Sequence, residues 1–396
     1  MLLNKDRLLK QMDEHDLEFL VASSPENVLY FSGFWSLGHW QLKGTQAYVV
    51  FPRDQGIEPI LVIPQSDIDI LSDNPSWINS FKSYGMCIIE DVGNDYLTKQ
   101  ELEYKRLISI ANGFSSPIEA LLNAIQSMGF SKQKIGLDER NIPFVLVNQL
   151  QEALNTKVEP ANDVIQKTRM VKTSDEIARL QQSISITEAA IKTTMADIRE
   201  GMTEREMFSI YSQEVVKRGG IPTLNVVGVN EHSGSANAQV TNRQIKRGGI
   251  VRFDVGCTYK QYHSDTARIA ILGEPGKKHI DYYEALGKGT AAGINIMKPG
   301  INASEIYNVT MNAVREAGIP HYNRHHVGHG IGIEVYDPPL VTPTADTLIE
   351  ENMVFCIETP YYEFGFGGLQ VEEVVRVTEH GTEIFSERPV GMTIIY

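Results

Sequence analysis

The sequence predicts a two-part α/β protein, and three observations predict it. Up to about residue 160, short apolar runs bounded by Gly, Pro, Asp or Asn alternate with helical stretches, the pattern of a small α/β domain. Next comes a long amphipathic stretch, EPANDVIQKTRMVKTSDEIARLQQSISITEAAIKTTMADI. After residue 220 the chain turns Gly-rich and strand-like. A chain of 396 residues has room for two or three domains and buries a large core without covalent staples.

Taken in order, residues 3–15 have helical spacing, with Leu3, Leu8, Leu9 and Met12 on one side. LEFLVAS reads as a strand ending in the turn SSPEN, and NVLYFSGF, QAYVVFP, PILVIP, MCIIEDV and KIGLD read as further strand-like runs. Helices are expected near 100–128 and 143–155, and the domain boundary falls between residues 162 and 163. Thr173-Ser174-Asp175-Glu176 is a helix-start signal, because a Thr side chain can cap a helix whose third residue is Glu. A second such start lies at Thr203, a helical region spans 280–317, and strands and turns fill the last 70 or so residues.

Composition narrows the function. The net charge of -14 argues against a nucleic-acid partner, since phosphate binding needs a basic surface. Three cysteines, Cys87, Cys257 and Cys356, make no CxxC pair, so a disulfide framework is not expected and a reducing, cytoplasmic location fits. The N-terminal stretch is charged and lacks the apolar centre of a signal peptide, and no apolar run approaches membrane-spanning length.

Three tracts carry chemistry. FDVGCTYKQYHSDTAR places Asp254 and Asp265 eleven residues apart on two segments that a short connection can fold together. Two adjacent carboxylates repel each other unless a proton or cation sits between them; read blandly, they are solvated residues of a hairpin. RHHVGHGIGIEVYDPP sets three histidines within five residues among glycines, and neutral imidazole is the commonest metal ligand. FCIETPYYEFGFGGLQVEEVVRV carries Glu358 and Glu372 in apolar runs, where a carboxylate is costly unless paired or bound to metal. Glu363 and Glu373 read as solvated. Four carboxylates and one imidazole suit a hard or borderline divalent ion, and the set contains no thiolate.

These residues resemble a known family. Asp254-Val-Gly followed by Ser264-Asp265, then Gly328-His329-Gly330, Glu358-Thr-Pro360 and Val371-Glu372-Glu373 are similar, in order and in the eleven-residue step, to the ligand pattern of the M24 metallopeptidases. That family includes aminopeptidase P, prolidase and methionine aminopeptidase. The two-part layout resembles the aminopeptidase P, prolidase and creatinase branch. The resemblance implies a "pita-bread" α/β catalytic domain at 163–396 and a smaller creatinase/prolidase-type α/β domain at 1–162. It implies two divalent ions, with manganese ahead of cobalt, iron and zinc, held by Asp254, Asp265, His329, Glu358 and Glu372. Asp265 and Glu372 would bridge, and Glu358 would also take a proton from the attacking water. His325 would sit near the substrate with Tyr362, and His325 or Tyr336 would stabilise the developing oxyanion. A homodimer is implied, in which the aromatic tract holding His39 and Trp40 could help roof a site.

Three positions depart from the proline-specific pattern: Asn237 and Tyr336 stand where those members carry histidine, and Gln370 where they carry arginine. None of the three substitutes is charged, although His232 lies nearby in sequence. The expected activity is hydrolysis of an amide bond such as Xaa-Pro in small peptides, with weak turnover of simple Xaa-Pro dipeptides. The alternatives are hydrolysis of a small non-peptide amide, amidine or betaine-like compound on the same metals, a lyase acting on a sulfonium compound, and a non-catalytic binding protein. A creatinase-like metal-free mechanism is disfavoured, because the ligand set is complete.

Overall fold

The computed structural model describes residues 1–42, 44–93, 96–111, 113–129, 134–386 and 391–396. They form two units, Met1–Arg169 and Met170–Tyr396.

In the first unit the strands are β1 (Leu17–Ala22), β2 (Tyr48–Pro52), β3 (Ile60–Pro64), β4 (Ser80–Tyr84), β5 (Gly113–Phe114), β6 (Lys134–Leu137) and β7 (Val158–Pro160). They form one mixed sheet in the order β5-β4-β3-β2-β1-β6-β7, antiparallel at β1–β2–β3 and parallel towards both edges. The helices are α1 (Lys5–Glu14), α2 (Pro25–Ser32), α3 (Leu37–Gln41), α4 (Ile68–Asp73), α5 (Lys99–Ile110), α6 (Pro117–Ser127), α7 (Phe144–Leu154) and α8 (Asn162–Arg169). Leu121, Ala124 and Ile125 of α6 and Leu150 and Leu154 of α7 pack with Phe19, Val21, Val50 and Val62 of the sheet.

Two apolar runs are not the strands they resemble. NVLYFSGF lies largely in α2: Ser24 is extended, Pro25 takes a first-turn position where no N–H is needed, and Gly33 closes the helix at φ 72°. Those end signals override the β-branched and aromatic content between them. MCIIEDV makes no strand among the described residues; Met86, Ile88 and Val92 are 80%, 75% and 80% exposed. An apolar run becomes a strand only where a sheet edge and a covering layer receive it.

The second unit begins with α9 (Ser174–Asp197) and α10 (Glu204–Lys217), each opened by a capping box, Thr173 with Glu176 and Thr203 with Glu206. Strands β8 (Ile221–Val229), β9 (Ile250–Tyr259), β10 (Tyr262–His263) and β11 (Thr266–Leu272) follow. Then come α11 (Lys277–Ile296), α12 (Ala303–Glu316), β12 (Gly328–Gly330), β13 (Asp337–Leu340), β14 (Val354–Glu358), β15 (Tyr361–Glu363), β16 (Gly367–Leu369), β17 (Glu372–Thr378), β18 (Gly381–Ile384) and β19 (Thr393–Ile395). One sheet runs β10-β9-β11-β19, with β8 also paired to β9; a second runs β13-β12-β14-β17-β18. Ile186, Ala190, Met207 and Tyr211 of α9 and α10 pack on Val251, Phe253 and Val255 of the first sheet. Leu286, Ile294, Met311 and Val314 of α11 and α12 pack on Phe355, Ile357 and Val375 of the second. Each sheet thus has a helix pair on one side, and the two sheets meet where β11 lies against β17. This is the pita-bread arrangement.

Candidate metal centre

Alternation along the strands delivers the site residues. In β9, Arg252 and Asp254 are two apart and share a face. Asp265 immediately precedes β11, whose pairing with β9 sets Thr266 opposite Val255 and Ala267 opposite Asp254. In the second sheet Glu358 of β14 stands directly opposite Glu372 of β17, and His329 of β12 opposite Cys356 of β14. Opposite residues of an antiparallel pair project to one face, so His329, Cys356, Glu358 and Glu372 share one side of this sheet. The strands run close here: a Cβ on Gly328 would lie 2.3 Å from the Cys356 carbonyl oxygen, so only glycine fits beside His329.

Donor atoms of Asp265, His329, Cys356 and Glu372 all lie within 4.8 Å of one another, and all four residues are buried. His329 Nδ1–H donates to the Gly330 carbonyl at 2.9 Å, which turns Nε2 inward with its lone pair. Burial lowers the pKa of this imidazole. Its Nε2 is 3.7 Å from Asp265 Oδ2, so the two atoms aim at one point as donors, not as an ion pair. Asp265 Oδ1, His329 Nε2 and Glu372 Oε2 are buried with no hydrogen-bond partner. Buried polar atoms left this way are costly, and a divalent cation satisfies all three at once. The residues present therefore fit a divalent ion.

Electrostatics agree. Burial, then the charges of Asp254 and Glu358, pushes the Asp265 carboxyl well above the usual carboxylate range. Burial, then Asp265 and Glu358, does the same to Glu372. Burial raises Asp254 against the opposing pull of Arg252. Glu358 differs: burial would raise it, but the His326 hydrogen bond and the fields of His329, His326 and Arg324 outweigh burial and hold it low.

Several residues around the centre take parts that their spacing did not reveal. Arg252 is fully buried and donates to Asp254 Oδ2 at 2.8 Å and to Gln370 Oε1 at 3.1 Å. Gln370 in turn donates to Glu358 Oε2 at 3.3 Å. A guanidinium charge therefore reaches the surroundings of Gln370 from β9, although position 370 itself is neutral. The signal available was the arginine in IVRFDVG, on the same face as the aspartate. His326 Nε2 lies 3.2 Å from Glu358 Oε1, while His325 is exposed, with its Nδ1 3.2 Å from His326 Nδ1. Cys356 joins the donor cluster of a set read as free of sulfur. Glu373, read as solvated, is 4% exposed and lies 3.9 Å from Arg268; β17 is covered on both faces, so alternation does not bring its odd-numbered residues to water. Glu363 is partly exposed and takes Lys278 at 2.5 Å.

Tyr336 is 56% exposed and stacks on His329, with centroids 3.8 Å apart at 17°. The Tyr362 ring has the guanidinium carbons of Arg252 and Arg324 each 5.0 Å from its centroid, and burial pushes its hydroxyl up to about 12. Asn237 is exposed, in a turn. His232 is engaged by the buried carboxylate of Glu204 at 2.6 Å. His39 and Trp40 belong to the first unit and border a cleft there of about 400 Å³ with Arg140 and Asn141. His39 is buried, 3.1 Å from the Asn141 amide, and burial lowers its pKa to about 4.

Comparisons with known proteins bear on the family and the fold. Residues 178–379 match the model of metallopeptidase family M24, and residues 5–171 that of the creatinase/prolidase N-terminal domain. The chain is 25% identical over 383 residues to the Xaa-Pro dipeptidase of Pyrococcus furiosus, covering 96% of each. Its structure is similar to the Xaa-Pro dipeptidase from Bacillus anthracis (TM-score 0.81, 22% identity, 98% of each chain covered). It is also similar to the X-Pro aminopeptidase from Thermotoga maritima (TM-score 0.79, 21% identity, 98% of this chain and 100% of that one). With buried Asp265, His329, Glu358 and Glu372 and partly buried Asp254 gathered on two helix-covered sheets, and with both of its units matched by family models, this chain is a member of metallopeptidase family M24, an enzyme whose family chemistry uses divalent metal.

Proposed function

We propose that the chain hydrolyses the amide bond of short Xaa-Pro-type peptides, with two divalent ions held by Asp254, Asp265, His329, Glu358 and Glu372. The observation that carries this reading is the convergence of Asp265, His329 and Glu372 with three buried donor atoms lacking partners. The names of the relatives supply the substrate class. When bound, the metal would polarise the scissile carbonyl and raise the acidity of water at neutral pH.

The remaining work falls to side chains. Glu358 is kept ionised by His326, His329 and Arg324, so it can accept a proton from water and pass it to the leaving nitrogen. His326 and Gln370 each engage one of its oxygens and fix its orientation. Arg252 holds Asp254. Tyr336 closes over the outer face of His329 and screens it from solvent. Arg324 supplies a guanidinium over Tyr362, and its Nε is buried without a partner. That cation can receive the carboxylate end of a dipeptide, which removes the main reason to expect weak turnover from the neutral residues at 237, 336 and 370.

Metal analysis of the purified protein and of Asp265→Ala, combined with a panel of Xaa-Pro dipeptides and small amides, tests the reading. Bound divalent metal lost in the variant, with Xaa-Pro cleavage at a kcat/KM on the order of 10⁴ M⁻¹s⁻¹, supports it. Fully metallated protein that spares every Xaa-Pro dipeptide while hydrolysing another amide overturns it.

A further inference from the structure

The ligand set above contains oxygen and nitrogen only, yet a sulfur lies among them. Cys356 Sγ sits within 4.8 Å of donor atoms of Asp265, His329 and Glu372. Register explains why: Cys356 is opposite His329 and two residues from Glu358, so it projects to the same face as both. Its side chain is fully buried, and the Sγ contact to the Asp265 carbonyl is long, at 3.9 Å. The neighbouring Asp265 Oδ1, His329 Nε2 and Glu372 Oε2 are unpartnered, on residues 6%, 1% and 1% exposed. Cys257 offers a contrast within the same unit. It too is fully buried, but its sulfur accepts from Thr187 at 3.2 Å and donates to the Ser183 carbonyl at 3.4 Å, as a satisfied core thiol does.

Two donors on one ion stand no farther apart than the sum of their bond lengths, roughly 4.0–4.4 Å for Zn–S of about 2.3 Å and Zn–N or Zn–O of about 2.0–2.1 Å. The four donor atoms lie within 4.8 Å of one another, and an ion bound among them would draw them in to these bond lengths.

We propose that Cys356 is a thiolate ligand to the ion held by Asp265, His329 and Glu372, so that the centre selects a thiophilic divalent ion (zinc, cobalt or iron) over manganese. The sulfur–metal bond forms as the S–H bond breaks, and its proton passes to solvent. Soft sulfur contributes little to a hard ion and much to a borderline one, so adding it to an oxygen-rich set shifts preference rather than creating affinity for every metal. The inference rests on the metal reading above but not on the substrate.

Cobalt(II) titration of the metal-free protein tests it, with near-ultraviolet absorption reporting thiolate-to-cobalt charge transfer. The wild-type protein should develop that band, and Cys356→Ser and Cys356→Thr should bind cobalt without it. Competition between zinc and manganese should show the zinc preference falling at least about tenfold in Cys356→Thr. Cobalt bound by the wild-type protein without charge transfer, or no cobalt bound at all, overturns the proposal even if neither variant folds. An unchanged zinc-to-manganese ratio in Cys356→Thr overturns it as well. Failure of Xaa-Pro cleavage with the band present would strike the substrate reading and leave Cys356 in place.

Discussion

At the scale of single residues, Arg252 shows how a charge can be supplied from an unexpected strand. Its five N–H donors find Ser233 O, Asp254 Oδ2, Gln370 Oε1, Ser235 O and Ala236 O. All its donors are used, so it acts on Asp254 and Gln370 and has none left for substrate. Arg252→Gln should lower metal affinity by about 10- to 100-fold, as loss of a partner to a ligand does. Because Gln370 touches both Arg252 and Glu358, the double variant Arg252→Gln/Gln370→Arg should return a guanidinium to the same spot and recover part of that loss. A double variant no better than the single one in metal titration would sink this account. In the proposed reading, Arg324, whose Nε is buried without a partner, receives the substrate carboxylate. Arg324→Gln should raise KM for Xaa-Pro dipeptides by about tenfold or more, the worth of a charge-assisted hydrogen bond. The matching dipeptide amides should be unaffected, and equal losses on acid and amide would remove Arg324 from carboxylate binding. The convergence of Asp265, His329 and Glu372 was legible in the sequence because charged or imidazole groups in apolar, Gly-rich tracts need a reason to be there, while the part of Asp254 and Glu358 as ligands belongs to the proposed reading. Arg252, His326 and Cys356 were not, because their parts follow from which residue faces which across a strand pair, and register is a property of the fold.

At the scale of elements, the hairpin from β9 to β11 sets the distance between the two aspartates. Gly256 lies between them, where a Cβ would meet the Ser264 carbonyl oxygen at 2.0 Å and the Leu224 side chain at 3.3 Å. Gly256→Ala must push the Ser264–Asp265 backbone away from β9. The expected cost is about 1–3 kcal/mol of stability, typical of overpacking, together with loss of metal from the Asp265 side. Denaturant midpoints and metal stoichiometry measure both, and an alanine variant with full metal and an unchanged midpoint would show that the connection yields without consequence. The helix starts at Thr173 and Thr203 could be read from sequence because a capping box is local, needing only a Thr and a Glu three residues on. NVLYFSGF and MCIIEDV misled because strand propensity is not local in that way. The first run has Ser24-Pro25 and Gly33 to make it helical, and the second has no partner strand to complete it.

At the scale of the whole molecule, stability depends on how buried charge is balanced beneath an acidic surface of net charge -14. In the second unit, Lys172 Nζ lies 3.3 Å from Asp337 Oδ2, with both side chains almost wholly buried. Glu176 stands near the same lysine, accepting from Tyr262 OH at 3.0 Å and from the Thr173 N–H at 2.8 Å. One cation thus faces two carboxylates. Burial raises Glu176 from 4.5 to about 7, opposed by Lys172 and the two hydrogen bonds and helped by Asp337. The sign follows from linkage. Below pH 4.5 the carboxyl is protonated in both the folded and unfolded chains. Between 4.5 and 7 the unfolded chain has released this proton and the folded chain retains it, so stability falls as pH rises. Above 7 both forms are ionised and the penalty is constant, on the order of 3 kcal/mol. Glu176→Gln keeps an acceptor for Tyr262 and Thr173 but cannot ionise. Relative to wild type, the variant should therefore gain stability steadily from pH 4.5 to 7 and hold that gain above it. Urea unfolding of the two metal-loaded proteins across this range measures the difference, in which every other titrating group cancels. A difference that stays flat with pH would mean that Lys172 already keeps Glu176 ionised, and that the buried cluster is a balanced ion network rather than a proton-holding one.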